Sequence, residues 1–306
     1  MTHVYLWGRG DPAVSDTTTP VYVVTGASSG VGEAIATQLA GTGARVLIGA
    51  RTTESGAAAA ARIRSHVPDA EIDVVAGDLS EMTPVRSLAE QVRDRTDRLD
   101  GLILNAAEIR PRRELTGDGL EAMFAANYLS GFLLTALLRP LLAASAPARV
   151  VTTTSAMHTR VKSVDVQGLA TGADFEHTAT YETTKLLAAV FAAELARRTH
   201  GIGITANAAD PGFVRTNLGR HATGAFRLFL TLTRPFQSPP NKAAATAIYL
   251  ATAPQAAIAT GGYYTRSRPG KPSPLARDPE LGHQMWAQSI TLLTATDAAT
   301  SDELTF

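Results

Sequence analysis

Val21-Tyr22-Val23-Val24-Thr25-Gly26-Ala27-Ser28-Ser29-Gly30-Val31-Gly32-Glu33-Ala34-Ile35-Ala36 is the stretch on which the fold turns. It opens with strand-favouring residues, breaks at Gly26, and resumes after Gly30 with the apolar spacing of a helix. Gly26 permits a tight turn, Gly30 lets the backbone approach a pyrophosphate, and Gly32 allows the helix to pack closely on the sheet. The helix start would offer free N–H groups and a positive dipole end to phosphates. The bland alternative is a glycine turn with no ligand; the strand before it and the helix after it favour the dinucleotide.

The same beat continues along the chain. Residues 45–49, 71–76, 102–104, 149–153 and 203–208 read as further strands. Residues 57–65, 81–95, 120–142 and 180–198 read as the helices between them. Regular alternation of this kind calls for an α/β Rossmann fold, a doubly wound parallel sheet with helices on both faces. Its ligands bind at the C-terminal ends of the strands. Residues 20–306 read as a single dinucleotide-binding catalytic domain after a loose extension over 1–19. A substrate lid is expected around 213–240 and a helical segment around 280–294. The stretches 234–240 and 266–274 read as loops.

Composition narrows the chemistry. Twenty-eight basic residues balance 28 acidic ones, so there is no basic face for nucleic acid. The chain has no cysteine, which excludes disulfides, thiolate catalysis and cysteine-ligated zinc; its seven histidines show no HExxH spacing. No signal sequence is read at the start, and the apolar stretch 124–146 is interrupted by Asn127, Arg139 and Pro140. It reads as a core helix, and a cytoplasmic enzyme without a membrane anchor is expected.

Tyr181-Glu182-Thr183-Thr184-Lys185 puts a phenol and an ammonium on one helical face. A free tyrosine titrates at about 10, so acid-base work near neutrality needs about 4 kcal/mol of preferential phenolate stabilisation. A neighbouring ammonium and an oxidised nicotinamide both act in that direction. Only four of the 28 basic residues are lysines (162, 185, 242 and 271), and one of them stands here. A compact ammonium fits between a ribose and a phenol better than a guanidinium fork does. Ser155, at the end of the strand RVVTTTS, could hold a substrate oxygen, although serine is common at strand ends. Asn105 follows another strand in Leu104-Asn105-Ala106-Ala107. Asn127 lies within an apolar helix, where a structural role and a catalytic one are equally open. Asp210-Pro211-Gly212-Phe213-Val214-Arg215-Thr216 forms a turn after the sixth strand.

NAD sites place a carboxylate after the second strand, for the ribose 2′-OH. That stretch here is Ile48-Gly49-Ala50-Arg51-Thr52, with alanine in the acid's place and a guanidinium next to it. NADP(H) is therefore expected rather than NAD(H), with Arg51 on the 2′-phosphate.

Taken in order, TGASSGVG, Asp78-Leu79, Asn105-Ala106, Asn127, Ser155, YxxxK and Pro211-Gly212 resemble the short-chain dehydrogenase/reductase family. NAA at 105–107, Ser155-Ala156-Met157-His158 and the tail PSPLARDPELGHQMWAQS resemble its retinol dehydrogenase and protochlorophyllide reductase branch. The resemblance implies Tyr181 as acid-base, Lys185 lowering its pKa and binding the nicotinamide ribose, and Ser155 orienting a carbonyl. It implies Asn127 holding a relay water. It implies Gly26, Ser28, Ser29, Gly30 and Val31 on the pyrophosphate, and Asp78 and Leu79 at the adenine. Asn105 and Ala106 would line the ribose, and Pro211, Gly212, Val214 and Thr216 the nicotinamide amide. Reduction of a carbon–carbon double bond, or cofactor sensing without turnover, remain alternatives on the same scaffold. Glu108 reads as a solvated loop residue and His158 as a supporting or surface one.

Two expectations concern partners. Leu133, Leu134, Leu137, Leu138, Leu187, Val190 and Phe191 spread over more than one helical face, which suggests a homodimer through these two helices. Phe213, Leu218, Phe226, Leu228, Phe229, Leu230 and Phe236 could form an apolar wall for a bulky lipophilic substrate. Arg215, Arg220, Arg227 and Arg234 could anchor a carboxylate at its far end.

Overall fold

The computed structural model describes residues 19–214, 238–254 and 258–306. Residues 1–18 of the expected extension over 1–19 lie outside them. So does most of the expected lid, with Thr216, the four lid arginines and every wall residue except Phe213.

Strands β1 (Val21–Val24), β2 (Arg45–Ala50), β3 (Ile72–Ala76), β4 (Gly101–Leu104), β5 (Ala148–Thr153), β6 (Ile204–Asp210), β7 (Tyr263–Thr265) and β8 (Arg268–Pro269) form one sheet. Its order is β3-β2-β1-β4-β5-β6-β7-β8. All neighbours are parallel except β7 and β8. The protein thus has a single-domain α/β Rossmann fold. Alternation along each strand sends side chains to two cores. Val21 and Val23 join one, with α3 (Met82–Arg93), α5 (Ser130–Ala144) and α7 (His177–Arg198). Tyr22 and Val24 join the other, with α1 (Gly30–Ala40) and α2 (Thr53–His66). The chain runs from β1 outward to β3 and returns to β4 on the other side of β1, so its direction reverses between β1 and β4. That reversal opens the crevice in which such sheets bind ligands.

The edge holds a correction. Residues 266–274, read as a loop, contain β8, which turns back antiparallel on β7. The two-residue turn is Arg266-Ser267, both at positive φ (51° and 58°). Such turns normally advertise themselves through Asn or Gly, and this one does not.

Helix α4 (Ala122–Phe124) passes through a π turn (Ala125–Leu129) into α5. The combined helix Ala122–Ala144 is long and apolar enough to cross a membrane, but most of it is buried in the core. Along α7 the buried residues run without a break from Thr184 to Ala192, so this segment has no open face. The sheet covers one side. The other is covered by α10 (Pro279–Ala295), the last helix after α6 (Val166–Thr171), α8 (Pro240–Ala243) and α9 (Ala245–Thr252). Trp286 on α10 stacks on Phe191 (5.9 Å) and packs edge-on against Phe132 (4.7 Å) and Phe306 (4.8 Å). The Arg198 guanidinium lies 4.4 Å from its ring centre. The segment is also tied down by Arg86 of α3, which donates two hydrogen bonds to Glu303 (2.9 and 2.8 Å). All seven apolar residues that suggested pairing between copies are buried within one chain, so that apolar excess is already accounted for.

Trp286→Ala should therefore cost about 3–5 kcal/mol, the usual penalty for emptying a large aromatic site. Urea unfolding measures it. A loss below about 1 kcal/mol would show that α10 is not an integral part of this core.

Candidate active site

The loop between β1 and α1 is locked by its neighbours. Thr25 Oγ1 accepts hydrogen bonds from the backbone N–H groups of Asn105 (3.0 Å) and Ala106 (3.1 Å). Asn105 Nδ2 donates back to Thr25 O (3.0 Å). Gly26 has φ +64°, and a Cβ there would lie 2.7 Å from Ala106 Cα; a Cβ on Gly32 would lie 2.3 Å from Gly26 O. Both positions are closed to any side chain. Gly30 is the opposite: a Cβ there would meet open space. Ser29 caps α1 without a side-chain bond to the first-turn N–H groups, so they remain available to an anion. Ser28 and Val31 flank this bared backbone. The donor set fits a dinucleotide pyrophosphate. Arg62, which the sequence did not single out, braces the loop from α2 by donating to Ser28 O (2.8 Å) and to Glu33.

Across the ends of β2, β3 and β4 stand Arg51, Asp78 and Glu108. Arg51 follows Ala50, so no acid closes β2. Asp78 Oδ1 accepts from the backbone N–H (2.9 Å) and hydroxyl (2.8 Å) of Ser80. These bonds and the nearby Arg51 and Arg110 together outweigh the cost of burial and hold its carboxyl below the usual range. Leu79, next in line, is partly buried against the core. With Thr25, Ala106, Asn127 and Thr153 it also lines a cavity of about 20 Å³, the size of one water molecule.

The second half of the site hangs from α7, which passes over the end of β5. Lys185 is 3% exposed. Its Nζ donates to Thr153 O (3.0 Å) and lies 5.7 Å from the Tyr181 ring centre. Thr154 Oγ1 donates to Lys185 O (2.7 Å), fixing the helix to the strand. Ser155 follows directly, opening a 3-10 turn (Ala156–Arg160). Pro211, Gly212 and Val214 follow β6; the Gly212 N–H bonds Asp210 Oδ1 (2.8 Å), and Val214 bridges to Ser238.

Burial, with a smaller push from Asp210, raises Tyr181 to about 12. Burial alone pushes Lys185 down to about 8. The expected lowering of Tyr181 by Lys185 is therefore not met in the protein by itself, because desolvation of the phenolate wins. The Asn127 side chain is engaged by two segments. Its Oδ1 accepts from Glu108 N–H (2.8 Å), and its Nδ2 donates to Glu108 O (2.9 Å) and Thr184 Oγ1 (3.2 Å). It clamps the loop after β4 to the residue before Lys185.

The family model described as short chain dehydrogenase matches residues 20–224. The chain belongs to the short-chain dehydrogenase family. Mouse retinol dehydrogenase 13 is 34% identical over 296 residues, covering 94% of this chain and 88% of that protein. Among solved structures, an uncharacterised protein from Mycobacterium paratuberculosis superposes with a TM-score of 0.73 at 28% identity, over 90% of this chain and 93% of the other. The Pseudomonas aeruginosa RhlG/NADP active-site complex does so with a TM-score of 0.66 at 27% identity, over 81% and 95%. This short-chain dehydrogenase is accordingly an oxidoreductase of the retinol dehydrogenase branch.

Three contributors had no sequence signal of their own. Glu108 is no solvated loop residue: its side chain is only 20% exposed and lies between Arg51 (3.1 Å) and Arg110 (2.6 Å). His158 is fully buried. Its Nε2 accepts from the Ser273 N–H (3.1 Å), which puts the ring proton on Nδ1, bonded to Ser155 O (2.7 Å). It therefore ties the candidate serine to the segment after β8. Asp210 accepts from the Tyr263 hydroxyl (2.7 Å), so β7 steadies the turn at Pro211. Each pairing joins residues far apart in the chain.

A lysine at about 8 rather than 10.5 costs the folded state about 3 kcal/mol at pH 7. Lys185→Met should thus stabilise the protein at pH 7 by about 2 kcal/mol, after deducting the lost bond to Thr153. Because the folded value is the lower one, the unfolded chain holds the extra proton between pH 8 and 10.5. Wild type gains stability across that window and the gap should narrow. Urea unfolding against pH checks this; a variant less stable than wild type at pH 7 would contradict it.

Proposed function

We propose that the protein is an NADP(H)-dependent carbonyl reductase and alcohol dehydrogenase, with Tyr181 as the acid-base group. The observation that carries this reading is the convergence over the ends of β5 and β6. Tyr181 and Lys185 come from α7, where Lys185 Nζ bonds Thr153 O, two residues before Ser155, and the Thr154 N–H bonds Ala209 O, two residues before the turn at Pro211 and Gly212. Bound here, the nicotinamide supplies or accepts the hydride at the substrate carbon. Ser155 Oγ donates to the substrate oxygen and holds it beside Tyr181. In reduction the Tyr181 hydroxyl gives its proton to that oxygen as the carbonyl becomes an alcohol. Burial keeps the Tyr181 hydroxyl protonated, the form that reduction uses. Oxidation needs the phenolate, which the Lys185 ammonium and a positively charged nicotinamide stabilise together.

Ala50 in place of an acid at the end of β2, with Arg51 directly after it, supports NADP(H) over NAD(H). Neighbours solved with this cofactor, such as the RhlG complex, support the same choice. The substrate we propose is a bulky, largely apolar aldehyde, ketone or alcohol. Two things support it: the retinol dehydrogenases among the relatives, and Phe213, a large apolar side chain left 46% exposed just after Gly212.

Tyr181→Phe should slow single-turnover hydride transfer from NADPH to long-chain aldehydes by about 10²–10⁴-fold. Its NADPH affinity should stay within about threefold of wild type, since phosphate contacts lie elsewhere. Transfer at wild-type speed would remove Tyr181 from the mechanism.

A further inference from the structure

The charged cluster at the ends of β2, β3 and β4 is arranged so that one member can leave without stranding the others. Arg51 is the most exposed of the three ion-pair partners, with 64% of its side chain open. Its Nη2 lies 3.1 Å from Glu108 Oε2 and its Nε 3.5 Å from Asp78 Oδ2. Neither acid is left without a partner when it moves away. Asp78 keeps both bonds from Ser80. Glu108 keeps Arg110 on its other oxygen (2.6 Å), and Arg110 also holds Glu114. A stronger anion can therefore draw Arg51 away while both carboxylates stay satisfied, so the exchange carries no penalty for an unpaired charge.

Position adds a second argument. In the sheet β2 and β4 lie on either side of β1, so the contact from Arg51 to Glu108 crosses the end of β1, where the glycine loop starts. Glu108 is also held rigidly there, because both its N–H and its C=O are bonded to the Asn127 side chain (2.8 and 2.9 Å).

We propose that Glu108 is a built-in competitor for Arg51, occupying in the free protein the guanidinium that a 2′-phosphate takes in the complex. It thereby sets cofactor affinity and narrows the preference for NADPH over NADH. This rests on the NADP(H) reading above. Binding then becomes an exchange of one anion for another. Arg110 keeps the displaced carboxylate near the site, where it continues to repel the phosphate.

The test is binding alone, without substrate. Kd values for NADPH and NADH are measured by nucleotide fluorescence or calorimetry for wild type, Glu108→Gln, Glu114→Gln and Arg51→Ala. Glutamine keeps the size and leaves the backbone bonds to Asn127 intact while removing the charge. Glu108→Gln should tighten NADPH by about three- to tenfold, the scale of a partly exposed charge pair. NADH, which has no 2′-phosphate, should change by less than about twofold. Glu114→Gln should change neither. The NADPH gain should shrink in about 0.5 M salt as screening sets in. Unchanged or weaker NADPH binding by Glu108→Gln would overturn the proposal, since Glu108 would then be inert or a positioner of Arg51. An equal gain for NADH would also overturn it, as a general charge effect. The underlying cofactor reading fails separately: it falls if wild type binds NADH as tightly as NADPH and Arg51→Ala weakens neither.

Discussion

The seam between β1 and β4 is the constraint from which the rest of the site follows. The sheet reverses direction there, and two strand-end loops meet at backbone contact distance. Thr25 and Asn105 exchange hydrogen bonds across it, and Gly26 fits against Ala106 with no room for a side chain. With these loops interlocked, the first-turn N–H groups of α1 have no side-chain cap and stay available to an anion. The same seam orients the loop after β4, which carries Glu108 toward Arg51 and lets Asn127 tie that loop to α7. A larger residue at 26 or 32 would separate the loops and disperse the site.

On the other side of the crevice the price is electrostatic. The fold buries an ammonium whose one hydrogen-bond partner among the described residues is a carbonyl, and a phenol that burial drives further from ionisation. Neither choice favours stability. Both suit a site in which positive charge and a proton must be ready before substrate arrives. The π turn through Ala125–Leu129 belongs to the same economy, since such turns cluster at functional sites and this one carries Asn127. The C-terminal segment is also more than a cover. Through Ser273 and His158 it reaches the backbone of Ser155, and through Tyr263 it reaches Asp210, so the last part of the chain steadies both candidate loops.

Much of this was legible in the residues. The glycine pattern, the β-branched runs and the YxxxK spacing are local signals, and they place the main elements within a few residues. Legibility stopped where the signal was not local. The β7–β8 hairpin turns on Arg266-Ser267, a pair with no hairpin signature. His158 looks like any isolated histidine until Ser273, 115 positions later, meets its ring. Glu108 looks solvated until Arg51, 57 positions earlier, comes across the sheet. The apolar faces of α5 and α7 read the same whether a second copy or the chain's own Trp286 covers them. Only packing distinguishes the two.

The central claim is that this crevice passes a hydride from a nicotinamide to a carbonyl carbon. It is tested most directly by NADPH deuterated at the transferable C4 position, incubated with a panel of long-chain aldehydes and ketones, with products read by mass spectrometry. The account expects deuterium on the carbinol carbon of an alcohol product. Deuterium on a carbon of a former double bond, or no transfer to any carbonyl in the panel, would contradict it.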